Sequence, residues 1–100
     1  MSDINNDLRL VIDTGKYTLG NREVVKSINE TKAKVIVLAS RGKKEIVDDI
    51  LHLCKVAGIR VIPYNGNSLE LGTLCGKPYS VNVMAVLEPG NSNILNEEYD

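Results

Sequence analysis

Residues 34–39 read Lys-Val-Ile-Val-Leu-Ala, an aliphatic run with no polar residue after its first position. A strand with one wet face alternates apolar and polar residues; a run without alternation is covered on both faces. The flanking sequence supplies the cover. Ile4, Leu8, Val11 and Ile12 recur at i, i+4, i+7 and i+8, one face of a helix that Ser2 or Asp3 caps and Thr14-Gly15 ends. Lys16–Leu19 is a short β-prone run closed by Gly20, and Asn21 opens a helix to about Thr31 with Val24, Val25 and Ile28 inward. Beyond the aliphatic strand, Ser40–Lys44 is a polar connection. A longer helix follows to about Ala57, with Ile46, Val47, Ile50, Cys54 and Ala57 at helical spacing and Gly58 as its stop. Ile59–Tyr64 is a third strand, and Pro63 marks its end or an edge position. Asn67 with Glu70 forms a capping box for a short helix that ends near Gly72 or Gly76. Asn82–Leu87 is a fourth strand, Glu88-Pro89-Gly90 a turn, and Asn91–Leu95 a last helical turn.

Strands that alternate with helices put helices on both faces of one central sheet, an α/β fold. The 100 residues leave no room for a second core of ordinary size, so residues 1–95 are expected to form one domain and 96–100 an acidic tail. The core must be aliphatic, because Phe and Trp are absent and four tyrosines are the only aromatics. The apolar runs fall well short of the roughly 20 residues that span a bilayer. The start, MSDINNDLRL, lacks the basic and apolar segments of a signal peptide. A cytoplasmic protein without a membrane partner is expected, and in a reducing compartment Cys54 and Cys75 are expected to be packing residues rather than a disulfide.

No catalytic set can be assembled. Gly72–Lys77 resembles a phosphate-binding loop, but only three residues separate its glycines and Pro78 stands where the metal-binding hydroxyl is needed. His52 is the one histidine, inside a helix and beside Leu51 and Leu53, which reads as a surface residue rather than a base. Asp48 and Asp49 are adjacent on a helix and diverge by about 100°, so they do not converge on one ion. With one histidine and no CxxC pair, no zinc site forms. No enzyme, metal, cofactor or small-molecule substrate is expected.

The net charge is −1, yet the distribution is uneven. Between Gly15 and Lys44, eight basic residues face only Glu23 and Glu30, while the rest of the chain is acidic. Phosphate attraction depends on the local patch rather than the total, although scattered lysines also serve simply to keep a surface wet. Three connections can meet at one end of the sheet. Gly20-Asn21-Arg22-Glu23 starts a helix whose free N–H groups suit a phosphate, with Lys26 one turn later. Ser40-Arg41-Gly42-Lys43-Lys44 follows the second strand, and Gly76-Lys77-Pro78-Tyr79-Ser80-Val81 precedes the fourth. RNA bulges with splayed bases are read by aromatic and guanidinium stacking, and Tyr79 and Arg22 are residues of that kind. Each loop alone also reads as an ordinary turn with ordinary packing.

Asp13–Lys16, Tyr17–Gly20, Lys34–Ala39, Glu88–Leu95 and above all Ser68–Tyr79, with its Glu-Leu-Gly-Thr and Gly-Lys-Pro runs, carry a resemblance. Over nearly its whole length the chain resembles the archaeal and eukaryotic L30e family of large-subunit ribosomal proteins, within the kink-turn-binding superfamily. The resemblance implies a three-layer α/β/α sandwich around a four-stranded mixed sheet. It implies a structural constituent of the large ribosomal subunit that binds ribosomal RNA at a kink-turn-like helix–bulge–helix and sits among other ribosomal proteins; the isolated chain is expected to be a monomer. The candidate RNA-binding residues are Gly20, Asn21, Arg22, Glu23 and Lys26, then Arg41 and Lys43, then Lys77, Pro78 and Tyr79. Kink-turn readers of the superfamily carry Asn-Glu early in the second helix; here Glu23 follows Arg22, a change that fits the ribosomal branch. The alternatives are a kink-turn-binding core protein of a small ribonucleoprotein particle and, in another class, a protein–protein adaptor.

Overall fold

In the computed structural model, which describes residues 4–39, 44–64 and 66–95, the aliphatic run is an inner strand buried along its whole length. The element order is α1 (Ile4–Thr14), β1 (Lys16–Leu19), α2 (Asn21–Asn29), β2 (Val35–Ala39), α3 (Lys44–Ala57), β3 (Arg60–Tyr64), α4 (Ser68–Leu74) and β4 (Val83–Glu88). The sheet order is β1-β4-β2-β3. β4 runs antiparallel to both β1 and β2, whereas β2 and β3 are parallel, so the sheet is mixed. β3 lies at an edge, where Pro63 costs no inner ladder bond.

The pleat of β2 divides the core in two. Val35, Val37 and Ala39 face α1 and α4, together with Leu8 and Val11 from α1, Leu71 and Cys75 from the α4 region, and Ile62, Met84 and Val86 from the sheet. Ile36 and Leu38 face the other way, against Val24 and Ile28 of α2 and Ile50 and Cys54 of α3. Helices therefore cover both faces, and the three-layer sandwich follows from strand alternation and helical periodicity together. Both cysteines are buried and unpaired. Ala57, expected inward, is exposed, because the inner stripe of α3 ends at Cys54.

Asn91–Leu95 does not form the expected helical turn among the described residues. Its polar groups are engaged elsewhere. Ser92 donates both its N–H and its hydroxyl to the Pro89 carbonyl, at 3.1 and 2.7 Å, and Asn91 N–H donates to Thr14 Oγ1 at 2.9 Å. Asn93 N–H reaches the buried Asp7 carboxylate at 3.4 Å, and Ile94 fills the core beside α1. The Asp13–Lys16 and Glu88–Leu95 motifs are thus two halves of one clasp. A Cβ on Gly15 would lie 3.1 Å from both Pro89 C and Val11 O, and one on Gly90 2.6 Å from Gly15 N, so only glycine fits either half.

Candidate nucleic-acid interface

The strand-to-helix junction at Gly20 is built by backbone alone. Gly20 is the N-cap of α2 at φ 88° and ψ 156°, a region essentially closed to residues with a Cβ. Its N–H donates to Val83 O at 3.1 Å and its carbonyl accepts from Val24 N–H at 3.0 Å. Having no side chain, it caps none of the amides of Asn21, Arg22 and Glu23, which have no protein acceptor among the described residues. These donors and the positive end of the helix dipole face outward, with open space around the Gly20 α-carbon. Arg22 and Glu23 are exposed in the first turn.

The second segment is held by the end of α4. Gly76 takes φ 75° and donates its N–H to Thr73 O at 3.0 Å, while Lys77 N–H donates to Gly72 O at 2.9 Å. This pairing is a Schellman cap. It explains the glycine spacing that resembles a phosphate loop: the second glycine terminates a helix. The chain then folds back along α4, with Val81 N–H donating to Ser68 O at 2.9 Å. Gly72 lets it pass, since a Cβ there would meet the Tyr79 carbonyl. At the other end of α4, Asn67 Oδ1 accepts from Glu70 N–H at 2.8 Å, half of the expected box. Packed this tightly from behind, the hairpin turns its side chains outward: Pro78 and Ser80 are exposed and Tyr79 is 55% exposed.

The two segments meet. Leu19, Gly20 and Asn21 line one side of a concavity of about 140 Å³, and Tyr79, Ser80, Val81 and Asn82 line the other. Asn21 Oδ1 is buried with no hydrogen-bond partner among the described residues, leaving an acceptor that an incoming donor could satisfy. Ser80, inside the third connection, and Asn82, just before β4, were missed as candidates; only the folded chain brings them into one concavity with Leu19. Ala39 N–H donates to Asn82 O at 2.9 Å, so β2 ends at the same rim. Arg41 and Lys43 follow it but lie outside the described residues. Lys77 is half-buried beside Cys75, whose thiol is pushed up to about 11 by burial, a shift the Lys77 charge partly opposes. Lys26 is not brought to the rim; it lines a separate hollow with Thr18, Glu23 and Lys32.

The basic block is also divided. Leu19 lies opposite Met84 at the rim, whereas Lys16 lies opposite Glu88 at the far end of β4. Lys32 and Lys34 line a concavity with Lys16 at that far end. Eight basic residues close in sequence therefore do not make one cationic rim. Strands carry successive charges to opposite poles.

A model of the ribosomal protein L7Ae/L30e/S12e/Gadd45 family matches residues 2–96. The chain belongs to this family. The match includes both segments of the rim. Among the family's members, a large ribosomal subunit protein eL30 from Sulfurisphaera tokodaii is 36% identical over 97 residues, covering 97% of this chain and 92% of the relative. The eL30 of Methanococcus vannielii is 39% identical over 94 residues, covering 94% and 90%. A plant eL30, from Lupinus luteus, is 41% identical over 92 residues, covering 92% and 82%. A solved structure of a Bacillus halodurans C protein, described as of unknown function, superposes with a TM-score of 0.82 over 95% of this chain and 94% of its own, at 24% identity. That likeness shows the family's fold.

Proposed function

We propose that the chain is a structural constituent of the large ribosomal subunit that binds ribosomal RNA through the rim formed by the Gly20–Glu23 helix start and the Lys77–Asn82 hairpin. One observation carries this reading. An exposed tyrosine, the Gly20–Asn21 start of α2 and the unpartnered side-chain oxygen of Asn21 line a single concavity. A tyrosine face stacks on any base, while amides and Arg22 contact phosphates or base edges. The RNA is a kink-turn-like helix–bulge–helix, whose bulge presents the splayed base that Tyr79 needs. Arg41 and Lys43, which follow β2 in the sequence, are further candidate phosphate contacts. The protein performs no chemistry; it holds one RNA conformation, in the cytoplasm, among other ribosomal proteins, and is a monomer when isolated. Residues 1–95 make the binding domain and 96–100 an acidic tail.

The test is the affinity of the purified chain for a ribosomal helix–bulge–helix fragment and for the same RNA with the bulge closed. The bulged RNA should bind more tightly, and Tyr79→Ala should weaken it by about 5- to 150-fold, the equivalent of losing one base stack. Equal affinity for both RNAs, unaffected by Tyr79→Ala, would instead support an adaptor.

A further inference from the structure

The far end of the sheet holds a concavity of about 450 Å³ lined by Lys16, Thr31, Lys32, Lys34, Leu87 and Glu88. Its three lysines come from separate places, the start of β1 and the α2–β2 connection, yet the fold fixes each. Lys16 is set by its register opposite Glu88, and Lys34 by its N–H bond to Val86 O at 2.8 Å. Lys32 is set by its N–H bond to Ser27 O at 2.9 Å, which closes the end of α2. All three are exposed. Thr31 between them takes φ 57°, a left-handed conformation that a β-branched residue adopts only under strain. Its N–H donates to Ile28 O at 3.0 Å, which with the Lys32 bond makes it the C′ residue of a Schellman cap, so the left-handed turn belongs to the end of α2 and fixes the lysine after it. Three cations to one carboxylate line the hollow, and the Glu30 that pairs with Lys32 at 3.7 Å does so at the exposed surface, where such a pair is weak.

We infer that this hollow is a second RNA contact, at which Lys16, Lys32 and Lys34 neutralise the phosphodiester backbone of a segment separate from the one at the rim. The inference rests on the RNA reading of the preceding subsection. The lining has no aromatic ring, no guanidinium and no glycine-opened backbone, so it positions a backbone and reads no base. Between Asn82 of the rim and Leu87 of the hollow lie four β4 residues, a span of about 17 Å at the rise of an extended strand. The protein therefore spans two RNA segments rather than capping one.

The experiment compares the wild-type chain with Lys16→Gln/Lys32→Gln/Lys34→Gln, the corresponding triple Arg variant, and Tyr79→Ala. Each is titrated, at 50 and 200 mM salt, with a minimal helix–bulge–helix and with the same RNA extended by its flanking ribosomal helices. On the minimal RNA the triple Gln variant should match wild type. On the extended RNA, three lost phosphate contacts should flatten its logarithmic salt slope by about 2.7, so that raising the salt costs wild type about 40-fold more affinity than it costs the variant. The Arg variant should behave as wild type. Equal slopes on the extended RNA overturn the inference while leaving the rim reading intact. Loss through the lysines with no effect of Tyr79→Ala overturns the rim reading and leaves the second contact standing. If wild type prefers a polyglutamate peptide to either RNA, the hollow is a protein contact and the inference fails.

Discussion

Gly72→Ala tests how the fold presents Tyr79. Gly72 lies in α4 with the returning hairpin directly against it. An added methyl would sit 3.1 Å from the Tyr79 carbonyl carbon and 3.4 Å from Val81 N, with the carbonyl oxygen closer still. The obstacle is backbone, so no side-chain rotation relieves it. Either α4 and the hairpin part, or the overlap is borne as strain of about 1–3 kcal/mol, the usual range for overpacking a tight contact. Taking the middle of that range, about 2 kcal/mol, the melting temperature should fall by roughly 8–16 °C for a chain of this size. Parting would also lengthen the 2.9 Å Val81–Ser68 bond and move Tyr79 away from Gly20. Thermal unfolding followed by circular dichroism reads the first effect, and titration with the bulged RNA reads the second. A melting temperature within about 2 °C of wild type, together with unchanged RNA affinity, would refute the idea that this close approach holds the tyrosine in place.

Gly20→Ala should destabilise by about 1–3 kcal/mol through backbone strain alone, since nothing lies within 4 Å of the added methyl; denaturant unfolding measures it, and a neutral result would mean the turn can be rebuilt without φ 88°. Thr31→Gly should do the reverse, removing about 1–2 kcal/mol of left-handed strain while the freer unfolded chain takes back about 0.4–1 kcal/mol. A lower urea midpoint would contradict it. Cys75 should resist alkylation at pH 8 in the folded protein and react on unfolding, because burial holds its thiol protonated. With the folded value raised to about 11 from 9.0, its contribution to stability is complete below pH 9 and declines as pH climbs through 11. A melting temperature flat across that window would show the thiol to be more accessible than its surroundings imply.

Much of the fold was legible because local signals and burial agree. The unbroken run at Val35–Ala39 is buried on both faces, Pro63 falls on an edge strand, and Asn67 caps α4 as its spacing predicts. β4's place between β1 and β2 was in no local pattern, since strand order is set by packing across the whole sheet; the family resemblance implied a mixed sheet but no order. The last segment misled for a related reason. Asn91–Leu95 has the composition of a helical turn, but its amides bond to Thr14, Pro89 and Asp7, the first and last of them far away in sequence. The site was half legible. Glycine and proline chemistry exposed the turns at Gly20 and Gly76, and tyrosine is conspicuous in so aliphatic a chain. The charge count failed because closeness in sequence says nothing about which pole each lysine reaches, and Asn82 became visible only as part of the shared concavity.

The most direct measurement is a map of backbone amide chemical shifts as the isotope-labelled chain is titrated with the bulged ribosomal RNA. The largest changes should fall on Gly20 to Glu23 and on Lys77 to Asn82 together, with the Asn21 side-chain amide moving alongside them. Changes confined to the exposed face of α3, around Leu51 and Val56, would contradict the account, because the rim would then be a turn and a hairpin with no shared ligand.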